Sequence, residues 1–178
     1  MGLIKADKSV LLMIDFQTRL MAAIDRKDDV IANARRLAEA AKLLGVRTLY
    51  TEQNPKGLGG TVDELPARDS RNVIAKTSFD CAQSAEVRSK LTAGKDIVIA
   101  GVEAHICVLQ TALGLSALGH KVFVVADACG SRKAENRQAG LARMADAGIE
   151  IVTTEMVLFE WIGDSTHEHF RQVSALVK

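Results

Sequence analysis

Three residues of complementary chemistry, Asp15, Lys76 and Cys107, each end or closely follow a short apolar segment of the chain. A thiol can attack an acyl carbon, and a nearby carboxylate can accept the thiol proton and return it to a leaving group. An ammonium group beside the sulfur lowers the thiol pKa. Each residue alone also has an ordinary explanation, as a loop aspartate, a solvated lysine or a small buried cysteine. Together they predict nucleophilic catalysis if the fold brings them to one place.

The sequence around Cys107 changes from a strand pattern to a helix pattern. Residues 97–100 form a β-branched apolar run, Gly101 interrupts it, and apolar residues then recur at helical spacing from Val108 to Leu115. Cys107 is therefore expected near the first turn of a helix, where unpaired backbone N–H groups stabilise a thiolate and can bind the oxyanion of a tetrahedral intermediate. We expect a lowered Cys107 pKa, so that iodoacetamide labels this thiol half-maximally well below about pH 8.

Two other cysteines and a histidine are competing candidates. Cys129 also follows a predicted strand, but no helical pattern starts directly after it, so we interpret it as a packing residue. Cys81 lies near the start of a predicted helix and is a weaker candidate nucleophile. His105 precedes Cys107 by two positions, a spacing that points side chains to different sides of a helix and disfavours a cysteine–histidine pair. The sequence contains no zinc motif, Walker loop or G-x-G-x-x-G fingerprint.

The elements that must position these residues alternate between strands and helices. Apolar runs predict strands at residues 10–14, 46–51, 72–76, 97–100, 121–126 and 150–153. Periodic segments predict helices at 28–44, 84–93, 134–147 and 167–177 and after Cys107. This alternation predicts a single α/β domain over residues 1–178, a doubly wound three-layer sandwich with a mainly parallel sheet in the order 3-2-1-4-5-6. In that order Asp15 and Cys107 face each other at the switch point, whereas Lys76 must lean inward from two strands away. The long polar connection at 52–71 is expected to be functional or mobile.

Composition and charge disfavour several classes of function. A formal net charge of +1 with scattered basic residues gives no reason to expect binding to nucleic acid or to an acidic membrane. Three widely spaced cysteines indicate neither a disulfide framework nor a paired zinc motif, and they favour the reducing cytoplasm. No segment has the apolar length of a membrane span or the pattern of a secretory signal. A small molecule is therefore the expected partner.

Several segments together resemble the isochorismatase-like cysteine hydrolase superfamily, and the resemblance covers nearly the whole chain. These segments are Leu12-Met-Ile-Asp15-Phe-Gln17, Lys76-Thr-Ser-Phe79, Gly101-Val-Glu-Ala-His-Ile-Cys107-Val, and Val124-Val-Ala-Asp127 with Ser131-Arg132. Residues 51–59, 61–62 and 64–65 resemble the isochorismatase-domain-containing subgroup in particular, as does Gly163-Asp-Ser-Thr-His167.

The resemblance implies a full set of site residues and a homo-oligomer, either a dimer or a larger assembly. The residues are a catalytic triad (Asp15, Lys76, Cys107), a cis peptide bond (Val102–Glu103), oxyanion-hole backbone amides (Glu103, Cys107) and pocket-lining side chains (Gln17, Phe79).

Two departures from the family pattern argue against particular substrates and against a metal. The nicotinamidase branch binds a metal through an aspartate and histidines after the second strand, but residues 51–54 here contain no histidine, which argues against a metal and against nicotinamide. True isochorismatases lack a cysteine at the nucleophile position, so Cys107 argues against isochorismate.

The sequence therefore predicts a hydrolase, with no metal or other cofactor, that attacks an amide or related acyl carbon of a small molecule through a thioester. Two alternatives stay open. One is a non-catalytic small-ligand or partner-binding domain on the same fold, which predicts a slow, ordinary thiol at Cys107. The other is an ether-cleaving, isochorismatase-type hydrolase that uses Asp15 as a general acid and does not need Cys107.

Overall fold

A computed structural model describes residues 2–66, 70–91 and 94–178 and contains one six-stranded sheet. The strands are β1 (Ser9–Ile14), β2 (Arg47–Gln53), β3 (Val73–Lys76), β4 (Asp96–Val102), β5 (Val122–Gly130) and β6 (Glu150–Val152). Their order is β3-β2-β1-β4-β5-β6 and every neighbouring pair is parallel, which confirms the predicted fold class and strand order. Within the same described ranges, no helix combines the length and the apolar character needed to cross a membrane.

Helices cover both faces of this sheet. They are α1 (Thr18–Met21), α2 (Lys27–Leu43), α3 (Pro55–Leu58), α4 (Ala85–Lys90), α5 (Leu109–Ala117), α6 (Ala134–Asp146), α7 (Thr154–Ile162) and α8 (Phe170–Ala175). All six residues of β1 are buried, and their side chains alternate between the faces. Leu11 and Met13 belong to an apolar cluster with α2 and α7, whereas Leu12 and Ile14 belong to a second cluster with α5 and α6. The predicted three-layer arrangement is thus confirmed.

Three strands continue beyond their predicted carboxyl ends, and one of them is β4, which ends at Val102 where the prediction ended at residue 100. β2 continues to Gln53, beyond the predicted end at residue 51, and Gln53 pairs in register with Lys76 of β3. β5 continues to Gly130 after a register shift opposite residues 99–101 of β4, so Cys129 lies inside the strand. The end of the predicted helix at 92–93, and residues 67–69 of the predicted connection, lie outside the described residues. That residues 1–178 form one domain stays a prediction.

Candidate active site

The carboxyl edge of the sheet brings the three predicted catalytic residues together. Asp15 directly follows β1, Lys76 is the last residue of β3, and Cys107 lies in a π-helical turn, Ala104–Val108, between β4 and α5. Lys76 Nζ lies 2.7 Å from Asp15 Oδ2, and the Cys107 thiol neighbours the Asp15 side chain, whose charge raises the thiol pKa. The side chains of Asp15 and Lys76 are 0% and 1% exposed, and Cys107 is 5% exposed. A carboxylate, an ammonium and a thiol therefore form one buried cluster, with the Lys76 stem leaning inward across β2.

Asp15 has a left-handed backbone conformation, with φ at 57°. Aspartate visits this region more readily than most residues with a Cβ atom. Main-chain hydrogen bonds on both sides hold it there, because the Asp15 N–H donates to Thr51 O at 3.1 Å and the Gln17 N–H donates to Asp15 O at 2.7 Å. The chain thus turns at the end of β1, and the carboxylate reaches both Lys76 and Cys107.

β2 carries no member of the predicted triad, yet it supplies a neutral partner to each charge of the ion pair. The Thr51 hydroxyl donates to Asp15 Oδ1 at 2.7 Å, and Lys76 Nζ donates to Gln53 Oε1 at 2.8 Å. Lys76 Nζ also donates to Ser78 O at 3.2 Å, so its three N–H groups have three acceptors. Thr51 and Gln53 are two positions apart and share one face of β2. Neither was predicted as a site residue from the sequence, because the predicted strand ended before Gln53 and a threonine near a strand end is ordinary.

Burial and the Asp15 carboxylate have opposite effects on the pKa of Lys76, whereas both raise the pKa of Cys107. Desolvation is the largest single effect and lowers the pKa of Lys76, but the Asp15 carboxylate, its hydrogen bond and the neighbouring Cys81 and Cys107 together raise it by more, so the net shift is upward and the ammonium persists. For Cys107, burial raises the thiol pKa, the Asp15 carboxylate raises it again, and the Lys76 ammonium lowers it by less. The predicted lowering of the Cys107 pKa is therefore wrong, because desolvation and the carboxylate together outweigh the ammonium. The resting thiol is neutral, so half-maximal labelling well below about pH 8 no longer follows.

The turn that carries Cys107 begins at a cis peptide bond between Val102 and Glu103. The Val108 N–H donates to Glu103 O at 3.3 Å, an i to i+5 bond that gives the turn its π-helical form. The Glu103 carboxylate accepts hydrogen bonds from the backbone N–H of Arg132 at 2.9 Å and from its Nε at 3.1 Å. These contacts tie Glu103 to the segment after β5. Single π-helical turns are frequent at functional sites, and this one carries the candidate nucleophile.

Two glycines allow close packing around this turn. A Cβ atom on Gly101 would lie 2.6 Å from the Ile14 carbonyl oxygen, so β1 and β4 can approach this closely beside the site because residue 101 has no side chain. A Cβ atom on Gly140 would lie 2.8 Å from His105 Cα, so the missing side chain lets α6 pack against the backbone of the π-helical turn. The Cys107 turn is thus held between the sheet and α6.

The two residues predicted to line a pocket have different surroundings. Gln17 is fully buried, where its Nε2 donates to Gln53 O at 3.0 Å and to Gly59 O at 2.6 Å, and its Oε1 accepts from the Gln53 N–H at 2.7 Å. These hydrogen bonds brace the end of β2, and the predicted lining of a substrate pocket by Gln17 stays a prediction. Phe79 is 52% exposed and directly follows a segment that lines a groove of about 580 Å³ beside Lys76. Its contact with a substrate stays a prediction.

The competing candidates from the sequence do not replace Cys107. Cys129 is fully buried in β5, where burial raises its pKa to about 12, so its interpretation as a packing residue is confirmed. His105 Nδ1 lies 3.0 Å from Ser131 Oγ, which engages the ring there. Cys81 lies closer to the site than its sequence position indicated, with its Sγ atom 3.8 Å from Thr51 Oγ1. In the described part of the chain, no group of three or more His, Cys, Asp or Glu side chains could hold a metal ion.

The fold and the sequence both match known proteins. A family model described as the isochorismatase domain matches residues 9–156. Isochorismatase domain-containing protein 1 from Salmo salar is 37% identical over 172 residues, which cover 96% of this chain; the chain spans only 61% of that relative's length. The structure of the MAR1 ribonuclease from Caenorhabditis elegans superimposes with a TM-score of 0.92 at 33% identity, covering 99% of this chain and 92% of that chain. YcaC from Escherichia coli, described as an octameric hydrolase of unknown specificity, has a TM-score of 0.91 at 26% identity, covering 99% and 89%. The chain therefore belongs to the isochorismatase family.

Proposed function

We propose that this protein is a cysteine hydrolase that cleaves an amide or related acyl bond of a small molecule without a metal or other cofactor. The observation that carries the proposal is the buried Asp15–Lys76 ion pair, 2.7 Å between Nζ and Oδ2, with the buried Cys107 thiol beside the same carboxylate. A nucleophile, a base in contact with it and a third group that orients the base are the parts that covalent acyl transfer requires. Family membership supports a hydrolase of this general kind.

In the acylation step, Asp15 accepts the Cys107 proton while the sulfur attacks the acyl carbon of the substrate. The carbonyl oxygen becomes an oxyanion, which the backbone amides of Glu103 and Cys107 stabilise. When the tetrahedral intermediate collapses, Asp15 returns the proton to the leaving amine and a thioester remains on Cys107. Lys76 stays protonated throughout, because its raised pKa keeps the ammonium that balances the carboxylate before and after the transfer.

Deacylation repeats the same proton movements with water in place of the thiol. Asp15 takes a proton from the water that attacks the thioester carbon, and the same oxyanion contacts stabilise the second intermediate. Asp15 then protonates the departing sulfur, which restores the neutral thiol and releases a carboxylic acid. The raised Cys107 pKa supports this order of events, because the proton leaves only when an acyl carbon is in place to bond the sulfur.

A panel of small amides, ureides and carbamates, screened for ammonia release, tests the proposal. Cys107→Ala should lower turnover by more than about 10³-fold with little loss of fold. Cys129→Ala is the matched control, because it removes another buried thiol that lies within β5 and is not part of the ion-pair cluster. Intact mass spectrometry of a slow substrate should show an acyl adduct on Cys107. Full activity in Cys107→Ala would overturn the proposal.

Three other functions give different results in the same experiments. A non-catalytic binding domain predicts no turnover of any amide. An ether-cleaving hydrolase predicts that Cys107→Ala stays active and Asp15→Asn does not. The name of the C. elegans relative raises RNA as a substrate, but a net charge of +1 provides little of the positive surface that phosphate backbones require. We expect wild type and Cys107→Ala to leave RNA equally intact; cleavage by wild type alone would reassign the substrate.

We also propose that the chain forms a homo-oligomer in the cytoplasm. The octameric description of the E. coli YcaC relative supports the assembly, and the cysteine usage supports the compartment. Light scattering coupled to size-exclusion chromatography should give a mass that is a multiple of the single-chain mass. A monomer at micromolar concentration would contradict the proposed assembly.

A further inference from the structure

Thr51 contacts Asp15 through both its main chain and its side chain. Its carbonyl oxygen accepts the Asp15 N–H at 3.1 Å, and its hydroxyl donates to Asp15 Oδ1 at 2.7 Å. Both residues are fully buried, so the hydroxyl–carboxylate bond is not in competition with bulk solvent. No other side chain of β2 contacts this carboxylate among the hydrogen bonds of the described residues.

The Thr51 hydroxyl has a second neighbour that supports its direction. The Cys81 Sγ lies 3.8 Å from Thr51 Oγ1, within donor distance for a thiol, and the Cys81 N–H is anchored on Thr111 Oγ1 at 2.9 Å. Burial raises the Cys81 pKa to about 11, so this thiol keeps its proton at neutral pH. The two hydrogen bonds therefore have the same direction: the Cys81 thiol donates to the Thr51 hydroxyl, and the Thr51 hydroxyl donates to the Asp15 carboxylate.

We propose that Thr51, supported by Cys81, is a positioning residue that keeps Asp15 ionised and fixes the orientation of its carboxylate. The inference rests on the proposed function, in which Asp15 is the base. A hydrogen bond donated to the charged form of a carboxyl group favours that form. Because Thr51 occupies Oδ1 and Lys76 occupies Oδ2, the carboxylate plane has one orientation beside Cys107. Thr51 touches neither the sulfur nor the substrate in this scheme and acts only through Asp15.

The titratable groups around Asp15 come from three other elements. Lys76 ends β3, Cys107 lies in the π-helical turn, and Cys81 lies in the turn Cys81–Gln83 behind Thr51. The pKa of each of these three groups is raised, so none of them changes charge between about pH 4 and pH 8. An acid limb in this range, meaning a fall in Cys107 reactivity as the pH is lowered, therefore does not come from any of these three groups.

The test compares Thr51→Val, which loses only the hydroxyl, with Thr51→Ser, which keeps it. Thr154→Val is the matched control, because Thr154 is also buried and its hydroxyl donates to the Asp127 carboxylate at 2.9 Å, outside the site. The readout is the rate of Cys107 alkylation by iodoacetamide from about pH 4 to pH 9, resolved by peptide mass spectrometry, together with kcat/KM on any amide that is turned over. The alkylation readout needs no substrate.

We expect Thr51→Val to move the acid limb to higher pH by about one unit, which is the size of one charge-assisted hydrogen bond. Thr51→Ser should restore the wild-type limb, and Thr154→Val should leave it unchanged. A merely structural role would lower the unfolding midpoint in both valine variants and move neither limb, which would overturn the inference. If Thr51→Val does not fold, Cys81→Ala takes its place. We expect Cys81→Ala to move the acid limb to higher pH by less than about one unit, and an acid limb that does not move in this variant would overturn the inference. A shifted alkylation limb in a protein that hydrolyses no amide would retain the positioning role and reject the proposed function.

Discussion

Replacing Lys76 with methionine tests the electrostatics of the site directly. The variant keeps a long stem but removes the ammonium, which leaves the Asp15 carboxylate fully buried with the Thr51 hydroxyl as its remaining donor among the hydrogen bonds of the described residues. Removing one partner of a buried ion pair costs about 3–5 kcal/mol, because the remaining charge is desolvated without a counter-charge. With a urea m-value of about 2 kcal/mol per molar, the unfolding midpoint should fall by about 1.5–2.5 M.

A double variant separates the loss of the pair from the loss of one charge. Lys76→Met combined with Asp15→Asn removes both charges, and we expect it to recover most of the lost stability because no buried charge is left unpaired. The fluorescence of Trp161, which is 5% exposed, gives the unfolding signal. Arg35→Met is the control: it removes a cation from an exposed pair with Glu39, whose side chains are 55% and 39% exposed, and should cost less than about 1 kcal/mol.

The pH dependence of this effect has a definite sign. The folded-state pKa of Lys76 is raised above its ordinary value of 10.5, so the stabilisation by the ion pair is fully present below that pH. It is lost as the pH rises through the folded-state pKa, so the gap between wild type and Lys76→Met should narrow in strongly alkaline solution. A loss below about 1 kcal/mol at neutral pH, or a double variant no more stable than Lys76→Met, would refute the reasoning.

Two further predictions concern the nucleophile and the helix packed on its turn. Asp15→Asn should abolish turnover and remove the acid limb from the pH profile of Cys107 labelling by iodoacetamide, because an amide neither gains nor loses a proton in this range; a limb that persists would contradict this. Gly140→Ala should lower the urea midpoint, because its Cβ would lie 2.8 Å from His105 Cα and overpacking costs about 1–3 kcal/mol. Alanine favours a helix interior by about 1 kcal/mol over glycine, so a more stable variant would show that α6 does not press on the turn.

The strand order was predictable because each strand of this sheet carries its own signal. β1 is buried on both faces, and its sequence is therefore an uninterrupted apolar run. Right-handed crossovers then leave few possible orders for six strands in one parallel sheet. The ends of β2 and β5 were not predictable in the same way. Gln53 is polar, and its place in β2 depends on pairing with Lys76 and on hydrogen bonds from Gln17, contacts that lie far apart in sequence.

The same distinction applies to the site. Residue type and position at strand ends identify Asp15 and Lys76, because the topology carries every strand end of a parallel sheet to one edge. The hydroxyl of Thr51 has no such signal, since its partner is 36 positions away and a threonine near a strand end is ordinary. Gln17 shows the converse, because the resemblance predicts it as a site residue, whereas its hydrogen bonds to Gln53 and Gly59 exist only in the folded chain.

The error in the direction of the Cys107 pKa follows from the relative size of two effects. A helix terminus stabilises a charge by about 0.3–1 kcal/mol at an exposed site and by at most about 2 kcal/mol when partly buried, which is roughly 1.5 pKa units. Desolvation shifts a buried group by up to about 3–5 units. The local sequence shows where the helix starts but not how deeply Cys107 is buried or that a carboxylate lies beside it. The small helix-terminus effect on the pKa was therefore predictable, and the larger effects of desolvation and of the carboxylate were not. A site closed enough to bury both charges of an ion pair keeps its thiol neutral, and the proposed hydrolysis therefore depends on Asp15 moving the proton during the attack on the substrate.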